Sequence, residues 1–200
     1  ITDMNQPLGQ AVGNSLEVVE AIHTLSGRSA GRLLDLCFEL GARMAVLGGV
    51  CDDVEQARVI LRRLVESGKA LAKLKEMVEA QGGDVSYVDY PDRIRVAPLS
   101  TLVLAPVDGY VHRADALALG RAAATMGAGR QRKTDSVDLG CGLRVLVSAG
   151  DRVEAGQPVA ELFASTKSRL DEGAAEAASA FAYSEAPCQA PPLVYEAIEA

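Results

Sequence analysis

The sequence predicts a mixed fold, α/β in its first part and α+β in its second, and three observations carry that expectation. One is a short extended run, residues 1–4, followed by four segments of helical period up to residue 83. Another is a change of composition near Asp84, where Tyr87, Tyr90 and Pro91 interrupt the helical pattern. The last is a series of short strand-like runs beyond Leu99, separated by turns rich in Gly, Pro and Asp.

The extended run leads into a loop of low charge, residues 6–13, and Asn14 then stands where a helix should begin. Asn is a favoured cap because its side-chain oxygen can accept a backbone N–H that the first turn leaves unpaired. Glu17, three residues on, is placed to reach back to the cap's own N–H. Val18, Ile22 and Leu25 then predict the buried face of this helix. After the turn at residues 26–29, Leu33, Cys37, Leu40, Met44 and Leu47 mark the apolar face of a second helix, stopped by Gly48-Gly49. Asp52, with Glu55 behind it, predicts the cap of a third helix burying Val54, Ala57, Leu61 and Leu64. Gly68 breaks the run, and a fourth helix carries Leu71, Leu74, Met77 and Val78 as far as Gly82-Gly83. One strand cannot make a sheet, so this part reads as the tail of a larger α/β layer.

Residues 84–98 read as a linker. Strands are expected at residues 101–105 and 110–112, joined through Pro106-Val107-Asp108-Gly109. Asp115 predicts the cap of a short helix closed by Gly127. Further strands are expected at 142–148 and 159–164, with turns at 149–151 and 154–157. An Ala-rich helix over 166–181 and a Pro-rich tail at 187–192 complete the pattern.

Bulk properties narrow the function classes. Two hundred residues with 48% hydrophobic content and no Trp suit a globular chain with a real core. A net charge of −7 argues against nucleic acid or an anionic membrane as the main partner. No apolar run is long enough to span a bilayer. Residue 1 is not Met, Asp3 and Pro7 interrupt any leader pattern, and the chain opens in an extended run; together these predict a piece of a longer protein. Cys37, Cys51, Cys141 and Cys188 form no C-x-x-C pair, which favours reduced thiols and a cytoplasmic setting over a disulfide framework.

Several motifs carry two readings. An apolar loop must find partners for its backbone carbonyls, and a bound cation is one such partner. The loop and helix from Leu8 to Glu20 thus suit a large, weakly hydrated cation held by carbonyls and the Glu20 carboxylate. They equally suit a tight strand-to-helix turn with Glu20 on a solvated face. Gly127-Ala128-Gly129-Arg130 with Arg132 and Lys133 has the composition of a phosphate-holding loop but not the spacing of a P-loop. A helix stop followed by a solvated basic loop is the competing reading. Residues 105–111 and 150–159 resemble biotinyl and lipoyl carrier domains, small barrel-sandwich folds, but the hairpin lysine that such carriers modify is missing. His23 and His112 lack partners at ligand spacing, and no Ser/His/Asp or Cys/His grouping emerges.

The opening stretch closely resembles the thymidine/pyrimidine-nucleoside phosphorylases. Their pattern T-D-M-x-Q-P-L-G-x-A-V-G-N-x-L-E-V-x-E-A matches residues 2–21. The resemblance continues at Ser67-Gly68-Lys69-Ala70, Gln81-Gly82-Gly83-Asp84, Asp108-Gly109-Tyr110-Val111, Leu119-Gly120, Met126-Gly127-Ala128-Gly129-Arg130, residues 135–142 and Gly150-Asp151-x-Val153-x-x-Gly156. It implies the C-terminal half of a homodimeric, cytoplasmic pentosyltransferase of nucleoside salvage. Such an enzyme cleaves a pyrimidine nucleoside with inorganic phosphate to free base and (deoxy)ribose 1-phosphate. It further implies that residues 1–83 finish a large α/β domain, 84–98 link, and 99–165 form a small β-rich α+β domain like a barrel-sandwich hybrid. Residues 166–200 would pack back on that domain as a helix and tail. No catalytic or substrate-binding residue of the family has a matching position in this chain. Part of the family's potassium site does carry over, to the backbone carbonyls of Leu8 and Ala11 and the carboxylate of Glu20. The alternative from another class is a non-catalytic binding or scaffold module that needs a separate N-terminal chain.

Overall fold

The computed structural model describes residues 1–130 and 132–198. Its contacts divide the chain into two units, residues 1–17 with 95–200, and residues 18–94. The opening residues therefore group with the second half of the chain and not with the helices that follow them.

The unit of residues 18–94 is helical. It takes in most of α1 (Asn14–Leu25), then α2 (Arg32–Leu47), α3 (Val54–Glu66), α4 (Lys69–Ala80) and the single turn α5 (Ser86–Asp89). Asp53, not Asp52, caps α3: its backbone is extended and its side chain accepts the Gln56 N–H at 2.8 Å. Either aspartate has the right side chain, and the backbone conformation at residue 53 decides between them. Gly68 adopts the left-handed conformation between α3 and α4, which a residue without Cβ does at no steric cost. Gly41 lets α2 approach α3, since a Cβ there would lie 3.0 Å from Leu61 Cδ1.

The helix faces differ from expectation. On α2 the buried residues are Leu36, Phe38 and Ala42, with Arg62 lying over the Phe38 ring; Cys37, Leu40, Met44 and Leu47 face outward. On α1 Ile22 is buried as expected, but Val18 is exposed and Leu16 takes the inward position. The segment expected as linker is partly ordered into α5 and a 3₁₀ turn at Pro91–Arg93. Asp84, two residues ahead of α5, accepts the Ser86 N–H at 2.8 Å, Lys75 pairs with Asp89, and Val88 and Pro91 are buried.

The other unit is built on two antiparallel sheets. Its strands are β1 (Ala11–Val12), β2 (Leu99–Leu104), β3 (Gly109–Ala114), β4 (Gly142–Val145), β5 (Arg152–Val153), β6 (Pro158–Ala164) and β7 (Phe181–Ser184). The four-stranded sheet runs β1-β4-β6-β2 and the three-stranded one β5-β3-β7. The chain is thus a mixed α/β structure whose sheets are antiparallel, with α6 (Ala116–Ala123) and α7 (Lys167–Ser179) packed on them. Asp115 caps α6 as its sequence predicts, accepting the Ala118 N–H at 2.9 Å. The two carrier-like segments do pair: the Ala105 N–H donates to Gln157, and the Val111 N–H to Asp151. The core gathers Val111, Leu119, Met126, Cys141, Leu143, Val153, Val159 and Leu162. Gly173 brings α7 against Met126, because a Cβ would stand 2.4 Å from Met126 Cγ. The Ala-rich helix ends at Ser179, short of the expected 181, since residues 181–184 are drawn off as β7 to pair with β3.

The expected strand at residues 1–4 is absent as such. Thr2 makes an isolated bridge with Val194, the Asp3 N–H donates to Leu193 O at 3.1 Å, and the Tyr195 N–H donates to Ile1 O at 2.8 Å. The head of the chain is paired with its tail.

Candidate functional site

Asp3 anchors the opening motif. Its buried carboxylate accepts the Asn5 N–H at 3.1 Å, Asn5 Nδ2 at 2.9 Å and Gln6 Nε2 at 3.3 Å, and Tyr195 donates its hydroxyl at 3.4 Å. Gln6 in turn accepts the Ala149 N–H through Oε1. Buried polar groups require partners, and these two side chains supply them to one another and to the turn at 149–151. The loop from Pro7 then descends to the sheet edge. Gln10 O accepts the Val145 N–H at 2.7 Å, and β1 pairs with β4 in the register Ala11 to Arg144 and Val12 to Leu143.

That register fixes where the Ala11 carbonyl points. In an antiparallel pair, hydrogen-bonded and non-bonded positions alternate. Gln10 bonds Val145, so Ala11 occupies the non-bonded position, and its carbonyl turns away from β4 on the outer side of an edge strand. Leu8, half-buried, precedes it in the loop. The approach of the two strands is tight: a Cβ on Gly13 would lie 2.6 Å from Cys141 O, and one on Gly142 would lie 2.4 Å from Val12 O.

Gly13, not Asn14, caps α1. Its carbonyl accepts the Glu17 N–H at 2.9 Å, and its own N–H donates to Glu17 Oε1 at 2.9 Å. The expected reach-back of Glu17 occurs, one residue earlier than the sequence suggests. Asn14 instead donates from Nδ2 to Ala128 O at 3.0 Å, and the Ser15 N–H donates to Leu139 O. Glu20 lies further along α1 with a half-buried side chain, and its carbonyl accepts the Thr24 hydroxyl at 2.8 Å. Leu8 and Ala11 belong to the unit containing residues 1–17, and Glu20 to residues 18–94.

The segment 127–141 packs beside the start of α1. Gly127, at φ +117°, ends the helical run and accepts the Asp138 N–H through its carbonyl. Asp138 accepts Ser165 Oγ at 2.5 Å and the Gly140 N–H at 3.1 Å. The Ser165 hydrogen bond, aided by the Gly140 amide, Cys141 and the charge of Arg95, holds the Asp138 carboxyl below the usual carboxylate range. Burial pushes the neighbouring Cys141 thiol up. Arg95, Arg169, Ser15, Asp138 and Gly140 line an open cleft of about 600 Å³. Within the basic loop the Arg132 N–H is taken by Asp135 Oδ2 at 2.7 Å, so that amide serves the loop's own turn. Gln131 of this loop, like residues 199–200 of the tail, lies outside the described residues. Among the described residues no three His, Cys, Asp or Glu side chains group as a metal site, and the four cysteines are free thiols.

Sequence reasoning alone did not single out Asp3, Asp138, Ser165 or Gly142. Asp3 and Asp138 sit inside matched motifs, but the partners that give them a role, Tyr195 and Ser165, are remote in the chain.

Residues 110–184, from β3 through β7, match the family described as pyrimidine nucleoside phosphorylase C-terminal domain. The pyrimidine-nucleoside phosphorylase of Geobacillus stearothermophilus is 38% identical over 198 residues, 99% of this chain. The chain belongs to the pyrimidine-nucleoside phosphorylase family. The phosphorylase of Bacillus subtilis is 42% identical over 86% of the chain, and that of Staphylococcus aureus strain RF122 41% over 78%. The match takes up 46%, 40% and 36% of those three relatives, so the chain spans less than half the length of the phosphorylases it resembles. No helix among the described residues is long and apolar enough to cross a membrane.

Proposed function

We propose that this chain is the C-terminal part of a pyrimidine-nucleoside phosphorylase that transfers the pentosyl group of a pyrimidine nucleoside to inorganic phosphate. The products are the free base and (deoxy)ribose 1-phosphate. The observation that carries this reading is the match of 99% of this chain, at 38% identity, to part of the Geobacillus stearothermophilus phosphorylase. Displacement at the anomeric carbon passes through an oxocarbenium-like state, so the protein must position phosphate and stabilise the departing base. The family's groups for both tasks have no counterpart in residues 1–200. This chain's part is supporting: residues 1–83 finish the large α/β domain, and residues 99–165, a barrel-sandwich hybrid, wall the cleft that closes to exclude water. The whole protein is a cytoplasmic homodimer in this reading.

The proposal includes a potassium ion held by the Leu8 and Ala11 carbonyls and the Glu20 carboxylate. The motif over residues 2–21 and the outward turn of the Ala11 carbonyl support it. Carbonyl oxygens suit a weakly hydrated cation, which would contribute a fixed positive charge that ties the motif to the phosphate-binding region.

The test joins residues 1–200 to the leading part of the Geobacillus stearothermophilus relative and follows phosphate-dependent release of uracil from uridine and thymine from thymidine. The fusion should turn over, and residues 1–200 alone should not. Turnover by residues 1–200 alone would overturn the placement of the chemistry, and a folded but inactive fusion would overturn the function. In the fusion, exchanging potassium for tetramethylammonium should lower activity and melting temperature, and Glu20→Gln should remove that dependence on potassium.

A further inference from the structure

We infer that the tail from Cys188 to Tyr195 is a strap that positions the Leu8 carbonyl for a cation, with Asp3 and Tyr195 as its positioning residues; this rests on the reading that the loop at residues 6–13 takes up potassium. Leu8 hangs between two clamps. Two residues before it, Gln6 accepts the Ala149 N–H through Oε1 at 3.1 Å and donates from Nε2 to the Asp3 carboxylate at 3.3 Å. Two residues after it, Gln10 O accepts the Val145 N–H at 2.7 Å. Pro7, whose ring locks φ, passes the orientation of Gln6 on to Leu8.

The tail touches both partners of Gln6. On one side it meets Asp3: Leu193 O accepts the Asp3 N–H at 3.1 Å, Val194 bridges to Thr2, and the Tyr195 hydroxyl donates to Asp3 Oδ1 at 3.4 Å. On the other side it lies on the turn that presents the Ala149 N–H. A Cβ on Gly150 would stand 3.2 Å from Ala190 N and 3.4 Å from Cys188 O. Val111 O accepts both the Gly150 N–H at 2.8 Å and Cys188 Sγ at 3.2 Å, so tail and turn share one carbonyl. Asp3 is 3% exposed, so its carboxylate needs donors from the protein, and one of them comes from the tail. Pro187, Pro191 and Pro192 restrict the backbone of this segment, so less conformational entropy is lost in holding it on its course. A carbonyl fixed before the ion arrives spares the cost of ordering on binding. Loosening such outer supports weakens a metal site by roughly ten- to a hundredfold.

The experiment titrates potassium chloride into the fusion to the relative's leading part, with tetramethylammonium chloride holding the ionic strength constant, and reads the rise in melting temperature. Tyr195 is 51% exposed, so Tyr195→Phe removes its hydroxyl with little change in packing. That variant should raise the half-effect potassium concentration about threefold or more, and a fusion ending at Ser184 should raise it about tenfold. An excess of potassium should recover the rise in both. A lower melting temperature with an unmoved half-effect concentration makes the tail a plain stabiliser; it overturns the strap and leaves the ion reading standing. A native fusion indifferent to potassium overturns the ion reading and the strap with it. Should the fusion fail to fold, hydrogen exchange in residues 1–200 decides. Tyr195→Phe should speed the amides of residues 8–10 about threefold or more and leave those of β6 unchanged. Unchanged exchange at residues 8–10, or equal acceleration throughout the unit, overturns the strap.

Discussion

Replacing Gly142 by alanine tests whether the contact of β1 with β4 is as close as the structure has it. Gly142 has φ +151°, and a Cβ there would stand 2.4 Å from Val12 O, 3.0 Å from Gly13 Cα and 3.1 Å from Leu16 Cδ1. Two of those three atoms are backbone, so relief requires moving a strand. The comparison is Gly156→Ala, in the same unit, where φ is +85° but nothing lies within 4 Å. Both substitutions carry the conformational penalty of a side chain at positive φ, roughly 1–2 kcal/mol. Only Gly142→Ala adds an overpacking term, roughly 1–3 kcal/mol. The gain from a stiffer unfolded chain is common to both and cancels. The expected gap is therefore about 2 kcal/mol. At an m-value of roughly 1–2 kcal/mol/M, it separates the two urea midpoints by about 1–2 M. Unfolding followed by far-UV circular dichroism, with equal m-values as the two-state check, reads this directly. Midpoints that coincide would refute the account of β1 as a strand clamped by backbone contact, and with it the argument that the Ala11 carbonyl is fixed in direction.

Two further outcomes follow from single residues. Because Asp138 is held below its ordinary pKa chiefly by Ser165, its ionised form favours the folded state; that contribution is full above the unfolded pKa and is lost as pH falls through the lowered one. Ser165→Ala should bring the folded-state value back toward the ordinary one, lowering stability at neutral pH and leaving less to lose on acidification, measured as urea midpoints between pH 3 and 7; an unchanged profile would remove Asp138 from the account. Asp3→Ala leaves the Asn5 and Gln6 donors without their carboxylate, at a cost of about 2 kcal/mol, and should make the residues after Ser184 accessible to limited proteolysis. A tail as resistant as in the unsubstituted chain would show that the head-to-tail pairing does not depend on Asp3.

Much of the local structure was legible in the sequence. Asp115 caps its helix where expected, β6 spans almost the expected residues, and Gly68, Gly82 and Gly127 take positive φ at the expected helix breaks. Caps and turns depend on a few neighbouring residues, so the information is in the stretch itself. The misses are of one kind. Asp52 and Asp53 are chemically equal candidates, and only the path of the chain into α3 selects Asp53. The Ala-rich pattern is expected to carry its helix to Phe181, but β3 supplies a ladder that takes Phe181 into β7 instead. Val18 and the Leu40–Leu47 seam have the right period for burial, yet burial needs a second surface, and a periodicity does not say which one.

The candidate site divides in the same way. The motif over residues 2–21 and the family it indicates came from the order of residues alone, because the pattern is long and its residue types are individually specific. The direction of the Ala11 carbonyl did not, since it depends on a register set by Val145, more than a hundred residues away. Nor did the latch of Asp3 on Tyr195 or of Asp138 on Ser165, which join residues that share no local pattern. Most helices, the Asp115 cap, the helix-breaking glycines and the family were written in the sequence because short-range sterics and hydrogen bonding act between neighbours. Which faces are covered and which carbonyls are turned outward was left to the tertiary structure, because those depend on partners that only the folded chain brings within a few ångströms.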